Sequence, residues 1–64
     1  MKRYKVRTVI KMLEEDGWSL KRTRGDHRQF KHPLKKGTVT VAGKLSDDIE
    51  QEILNSIWKQ AGWK

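Results

Sequence analysis

Apolar side chains recur at Val6, Val9, Ile10 and Leu13, the i, i+3, i+4, i+7 spacing of one helical face. Met12 sits beside that stripe, and Arg7 and Lys11 fall opposite it. Gly17 is a natural residue to end such a helix in a left-handed conformation. The spacing therefore predicts a first helix over residues 5–16. Trp18-Ser19-Leu20-Lys21-Arg22-Thr23 begins by alternating, as a strand does with Trp18 and Leu20 facing a core. Arg24-Gly25-Asp26 is a turn signal, and residues 27–32 form the returning strand. Phe30 is its one large apolar residue and points inward. Parity then puts Arg28 on the Phe30 side and His27, Gln29 and Lys31 on the other. Pro33 stops the pairing, Gly37 marks the restart, and Thr38-Val39-Thr40-Val41 is a third strand with both valines inward. Ser46 or Asp47 is placed to cap a last helix, and Asp47 and Glu50 have capping-box spacing. Ile49, Ile53 and Ile57 stack at i+4, Leu54, Trp58 and Ala61 widen the stripe, and Gly62 ends it.

The order is α-β-β-β-α, an α+β pattern. A three-stranded antiparallel sheet of this kind buries one face under two amphipathic helices and leaves the other open. The expected core is Val6, Val9, Ile10, Leu13, Trp18, Leu20, Phe30, Val39, Val41, Ile49, Ile53, Leu54 and Ile57. The expected open face carries Ser19, Lys21, Thr23, His27, Gln29, Lys31, Thr38 and Thr40. A one-residue error in strand alternation would redistribute all of these.

Length and charge narrow the function. With 64 residues, residues 1–64 are expected to form one domain with a thin core. Cysteine is absent, which removes disulfides and thiolate metal sites and fits a reducing cytoplasm. No apolar run approaches the roughly 20 residues that span a bilayer, and no long apolar segment follows the basic start as in a signal peptide. The net charge is +7, and it is lopsided. Residues 1–44 carry thirteen Lys and Arg against four Asp and Glu, whereas residues 45–64 carry two against four. That density of positive charge is the footprint of a nucleic-acid binder, although an acidic protein partner satisfies it too.

Candidate chemistry concentrates in residues 23–33. His27 is the one imidazole expected on the open face, amid Lys21, Arg22, Arg24, Arg28 and Lys31. RNA cleavage needs a base for the attacking hydroxyl, an acid for the leaving oxygen and cations for the phosphate. Such a cluster can supply much of that without a metal, but a lone histidine is a weak signal and equally fits a binding hairpin. His32, before Pro33, reads as an extended residue at a strand end. A metal site from His27 and His32 is not expected, because strand parity separates them and no cysteine supports them. Lys35 and Lys36 form a basic loop tip able to reach a phosphate backbone. Trp18 reads as core, while Trp58 and Trp63 suit a protein interface.

Several motifs together resemble a known family. Gly17-Trp18, Arg22, Gly25-x-His27, Phe30-Lys31-His32-Pro33, Lys36-Gly37-x-Val39-Thr40-Val41 and Asn55-Ser56-Ile57-x-Lys59-Gln60-Ala61-Gly62 are similar, in order and spacing, to the HicA (YcfA-like) toxins. The resemblance spans essentially the whole chain. It implies a fold like a double-stranded-RNA-binding domain. It also implies a type II toxin that cleaves mRNA and is blocked by a HicB antitoxin; no cofactor is expected, and the expected location is the cytoplasm. The family's catalytic histidine lies in a Gly-Ser-His motif, and the matching position is His27. The RNA-binding residues expected around it are Lys21, Arg22, Arg24, Gly25, Arg28, Lys31, Lys35 and Lys36. His27, Trp58 and Trp63 are the expected antitoxin contacts. The chain is expected to be monomeric when free and a hetero-oligomer with its antitoxin.

The chain also departs from the family pattern. Asp26 replaces the usual serine and would repel a phosphate. Arg28 stands where many members have a second histidine, and Ala42-Gly43-Lys44 where many have Pro-x-His. The alternatives are therefore a non-catalytic RNA-binding module, a member weakened by Asp26, or a subunit whose basic face docks an acidic protein.

Overall fold

The computed structural model describes residues 3–63. In chain order the elements are β1 (Tyr4–Lys5), α1 (Val6–Glu15), β2 (Ser19–Arg24), β3 (His27–Lys31), β4 (Val39–Ala42), β5 (Asp48–Ile49) and α2 (Gln51–Gln60). Strands β2, β3 and β4 form a three-stranded antiparallel sheet in that order. This is the expected α+β fold, consistent with a double-stranded-RNA-binding-domain-like arrangement. The sequence pattern did not reveal the separate two-stranded ladder in which Tyr4 pairs with Ile49 and Lys5 with Asp48.

That ladder brings the segment after β4 to the start of α1. The helix has no side-chain cap. Instead the backbone N–H of Val6 donates to the Asp47 carbonyl at 2.9 Å, and that of Arg7 to the Leu45 carbonyl at 3.1 Å. Two donors that every helix start leaves unpaired are thereby satisfied. At the other end, Gly17 has φ +103°. Its N–H reaches the Glu14 carbonyl, and the Trp18 N–H reaches that of Leu13, which is a Schellman ending. Helix α2 ends identically. Gly62 has φ +78°, its N–H bonds Lys59, and the Trp63 N–H bonds Trp58. Each helix is therefore followed by a tryptophan turned back onto its last turn.

The expected start of the last helix needs correction. Glu50 is the N-cap and the helix begins at Gln51. Asp47 does not form a capping box; its Oδ2 accepts from the Lys44 N–H at 3.0 Å. Because Ile49 lies in a strand, the buried stripe of α2 is not the Ile49-Ile53-Ile57 row. It runs Leu54, Ile57, Trp58, Ala61, the i, i+3, i+4, i+7 set, and Ile53 is 51% exposed.

Val6, Val9 and Leu13 of α1 pack with Leu54, Ile57 and Ala61 against Phe30, Val39 and Val41, with Trp18 closing the same cluster. Both helices therefore cover one side of the three-stranded sheet. Tyr4, Ile10, Ile49, Trp58 and Trp63 pack around the cluster half-buried. Leu20 is the other departure from the expected core. It pairs with Phe30 and so shares the inner side, but it is 48% exposed. The helices lie over β3 and β4, and every residue of the edge strand β2 is exposed.

Candidate functional site

The hairpin β2–β3 sets the geometry of the open face. Its turn is Gly25-Asp26, and Gly25 has φ +60° while Asp26 stays at negative φ. A glycine first in a two-residue loop is the signature of a type II′ turn. No atom lies within 4 Å of where a Gly25 side chain would begin, so the turn's conformation, not crowding, asks for glycine.

The register of this hairpin shifts between Leu20 and Arg22. Ser19 pairs with Lys31 and Leu20 with Phe30; beyond the shift Arg22 pairs with Gln29, Thr23 with Arg28 and Arg24 with His27. Lys21 is the extra residue of a β-bulge. Residues directly opposite across a ladder share a face. Because Phe30 points into the core, His27, Gln29 and Lys31 point out, as do their partners Arg24, Arg22 and Ser19. Thr23, expected on the open face, falls on the inner side opposite Arg28. The bulge thus exchanges a threonine for two arginines beside the histidine. Simple alternation cannot foresee this, because it assumes an uninterrupted period of two.

On its other side β3 places His27 opposite Ala42 and Gln29 opposite Thr40. His27 is therefore the centre of a row Arg24–His27–Ala42, with Arg22–Gln29–Thr40 as the next row. Arg22, Arg24, Lys21 and Lys31 are exposed and make no ion pair with the described residues. The His27 side chain is 61% exposed, and its Nε2 lies 3.6 Å from Oδ1 of Asp26. The imidazole is thus open to solvent, with cations across the ladder and one carboxylate beside it.

Arg28 is occupied differently. It is half-buried, and its guanidinium donates to the Gly43 carbonyl at 2.8 Å. The Gly43 N–H in turn donates to the Asp26 carbonyl at 3.2 Å. These two bonds tie the hairpin turn to the segment after β4, so Arg28 braces the site from the inner side.

Lys35 also differs from expectation. Its ammonium donates to Oδ2 of Asp16 at 2.7 Å and to the Ala61 carbonyl at 3.0 Å. It joins the ends of the two helices, while its neighbour Lys36 is exposed. Asp16 is the hub that sequence patterning passed over. The same Oδ2 accepts from the indole N–H of Trp18 at 3.1 Å and from that of Trp63 at 3.0 Å. The Lys35 ammonium foremost, then the Trp63 indole, holds the Asp16 carboxyl below its ordinary value. Trp63 also lies against Trp58 with ring centroids 5.2 Å apart, and Trp58 meets the Tyr4 ring edge-on at 5.4 Å. Both tryptophans thus help to close the core.

His32 belongs to this framework. The backbone N–H groups of Leu34 and Lys35 donate to its Nδ1 at 3.0 and 3.1 Å. Its Nε2 lies 2.7 Å from the Asp16 carbonyl. Two donors on Nδ1 leave the ring proton on Nε2, which donates to Asp16. The ring also meets Trp18 edge-on at 5.2 Å. Among the described residues no three metal-ligating side chains converge, and no helix is long and apolar enough to cross a membrane.

A family model described as "HicA toxin of bacterial toxin-antitoxin" matches residues 6–63. The matched span covers every element of the three-stranded sheet and both helices. No curated protein matches the chain.

Proposed function

This chain belongs to the HicA toxin family and is a toxin of a toxin–antitoxin system; from that premise we propose that it is a metal-independent endoribonuclease acting on mRNA through His27. The observation that carries the reading is the hairpin register, which sets His27 directly opposite Arg24 on an exposed face. A phosphate held by Arg24 and Arg22 lies within reach of an imidazole that makes no hydrogen bond among the described residues. His27 then takes the proton of the attacking oxygen, from the neighbouring 2′-hydroxyl or from water. The new P–O bond forms as the bond to the leaving oxygen breaks, and the imidazolium returns the proton to that oxygen. Guanidinium groups offset the charge that builds on the phosphate. Lys21, Lys31 and Lys36 add attraction for the rest of the RNA chain, and Gly25 shapes the turn that brings Arg24 to His27.

A HicB-type antitoxin neutralises this activity by covering the His27 face, with the outer edges of Trp58 and Trp63 as a secondary contact. The free toxin is a monomer and the neutralised form a hetero-oligomer, both in the cytoplasm where mRNA is present. The test is cleavage of single-stranded RNA by the wild type and by His27→Ala in the presence of EDTA. Equal cleavage by both removes His27 from the mechanism.

One observation favours a second reading. Oδ1 of Asp26 sits 3.6 Å from Nε2 of His27, so a carboxylate that repels phosphate stands beside the imidazole. A chain that binds RNA without cutting it fits that acid. Asp26→Ser separates the readings: a gain of cleavage identifies a toxin slowed by its acid, and unchanged, salt-sensitive binding of intact RNA identifies a binder.

A further inference from the structure

At the far end of the open face lies a cleft of about 270 Å³ lined by Gly17, Ser19, Lys21, Lys31, His32 and Pro33. It is distinct from the row of His27. Lys31 is four residues along β3 from His27, or ~13 Å at the usual strand rise. The cleft exists because of two features already described. Gly17 has no side chain to fill it, and the bulge residue Lys21 lines it together with Lys31.

Its charge is uncompensated. Neither ammonium has an ion-pair partner among the described residues. Asp16, the neighbour of Gly17, has its carboxylate engaged by Lys35 and two indoles. His32 has both ring nitrogens engaged by backbone groups, so it forms a wall of the cleft. The volume is just under the roughly 300 Å³ at which drug-sized ligand sites begin, which suits a single nucleotide unit. Two lysines offer point charges to a phosphate, the Ser19 hydroxyl offers a hydrogen bond, and the Pro33 ring offers an apolar wall.

We infer that this cleft is a second RNA subsite, binding one nucleotide of the same single strand at a distance from the phosphate cut at His27, with Lys21 and Lys31 on its phosphate. The inference rests on the proposed RNA-cleaving function. It assigns the chain a directional track: RNA runs along β2 and β3 from the turn toward Pro33, crossing Arg24, Arg22, Lys21 and Lys31 in succession. Lys21 and Lys31 are thereby positioning residues, anchoring the strand so that the phosphate at His27 is held in place.

The test is equilibrium binding of a fluorescent single-stranded RNA of about twelve nucleotides across about 50–200 mM salt. The His27→Ala chain serves as the parent, so that cleavage does not consume the probe. Adding Lys21→Gln and Lys31→Gln removes two phosphate contacts. The plot of log K against log salt should become shallower by about 1.4, with affinity at low salt falling roughly tenfold. Lys11→Gln with Lys59→Gln removes the same charge away from this face and should leave the slope within error of the parent. Equal losses in both double variants would mean general attraction only and would overturn the subsite, as would an unchanged slope in the first. Absence of RNA binding by the parent at the lowest salt would instead overturn the proposed function itself.

Discussion

Replacing Gly17 by alanine tests how the framework behind the site is held. Gly17 lies at φ +103°, and a Cβ built there would sit 2.8 Å from Nε2 of His32. Two costs follow. The backbone term for a non-glycine residue at positive φ is about 1–2 kcal/mol. The steric term arises because the His32 ring cannot retreat freely: it bonds Asp16, Leu34 and Lys35 and packs on Trp18. Moving it sacrifices hydrogen bonds of about 1 kcal/mol each. The total expected loss is roughly 2–5 kcal/mol, against the ~3–10 kcal/mol that a chain of this length possesses. Urea unfolding followed by tryptophan fluorescence reads the loss directly. The same substitution in a His32→Ala background should cost only the backbone term, because the atom it would strike is gone. The two substitutions should therefore couple by at least about 1 kcal/mol. Equal costs in the two backgrounds, within the 0.3–0.5 kcal/mol expected of independent sites, would refute the claim that Gly17 is required to clear His32.

Other outcomes follow from the same geometry. Arg22→Gln and Arg24→Gln should each reduce RNA affinity and flatten its salt dependence by about 0.7, while Thr23→Val, on the inner side, should leave both unchanged in the same binding titration. Lys35→Met should lower the thermal midpoint by about 4–8 °C with little effect on RNA affinity, whereas Lys36→Gln should do the reverse; circular-dichroism melts and RNA titrations separate them. The Asp16 carboxyl is held below its ordinary value of 3.8, so its contribution to stability is complete above that pH and is lost as pH falls through its lower folded value. Asp16→Asn should abolish that part of the acid dependence, measured as unfolding free energy between about pH 2 and 5. Arg28→Met should destabilise the chain by about 1–3 kcal/mol because the Gly43 carbonyl loses its charged donor, and should slow cleavage only to the extent that the hairpin turn loosens.

Much of the fold was legible because single-element physics decides it. The α1 stripe of Val6, Val9 and Leu13 follows directly from helical spacing, and Gly17 and Gly62 end both helices as positive-φ residues. Phe30, Val39 and Val41 are the only large apolar residues in their strands, so their inward direction was fixed by burial alone. What stayed hidden depends on pairing between distant segments. The two-residue ladder of Tyr4–Lys5 with Asp48–Ile49 is too short to carry a pattern, and it takes Ile49 out of the helix to which spacing assigned it. The bulge at Lys21 leaves no mark in a run of polar residues, yet it decides that Arg22 and Arg24 face His27 and that Thr23 does not.

The candidate site divides along the same line. The outward placement of His27 was legible because β3 has a single apolar residue to set its parity and a turn signal just before it. The separate fate of the basic residues was not legible. Arg24, Arg28 and Lys35 look alike in sequence, but one lies open beside His27, one donates to the Gly43 carbonyl, and one joins the ends of both helices. Asp16 follows the last turn of α1, where the macrodipole disfavours an acid, and nothing in the sequence pattern marks its role. Its role depends on Trp18, Trp63 and Lys35 converging on one oxygen, which only the tertiary structure brings about.

The central claim is that His27, held on an open basic face, cuts RNA without a metal. The most direct measurement is the initial rate of cleavage of a single-stranded RNA in EDTA by wild type and by His27→Ala, with both shown to melt at the same temperature. Loss of a general acid–base group predicts a rate lower by about 10²–10⁴-fold in the variant, with RNA affinity largely retained. Equal rates, or wild-type cleavage abolished by EDTA and restored by a divalent cation, would contradict it.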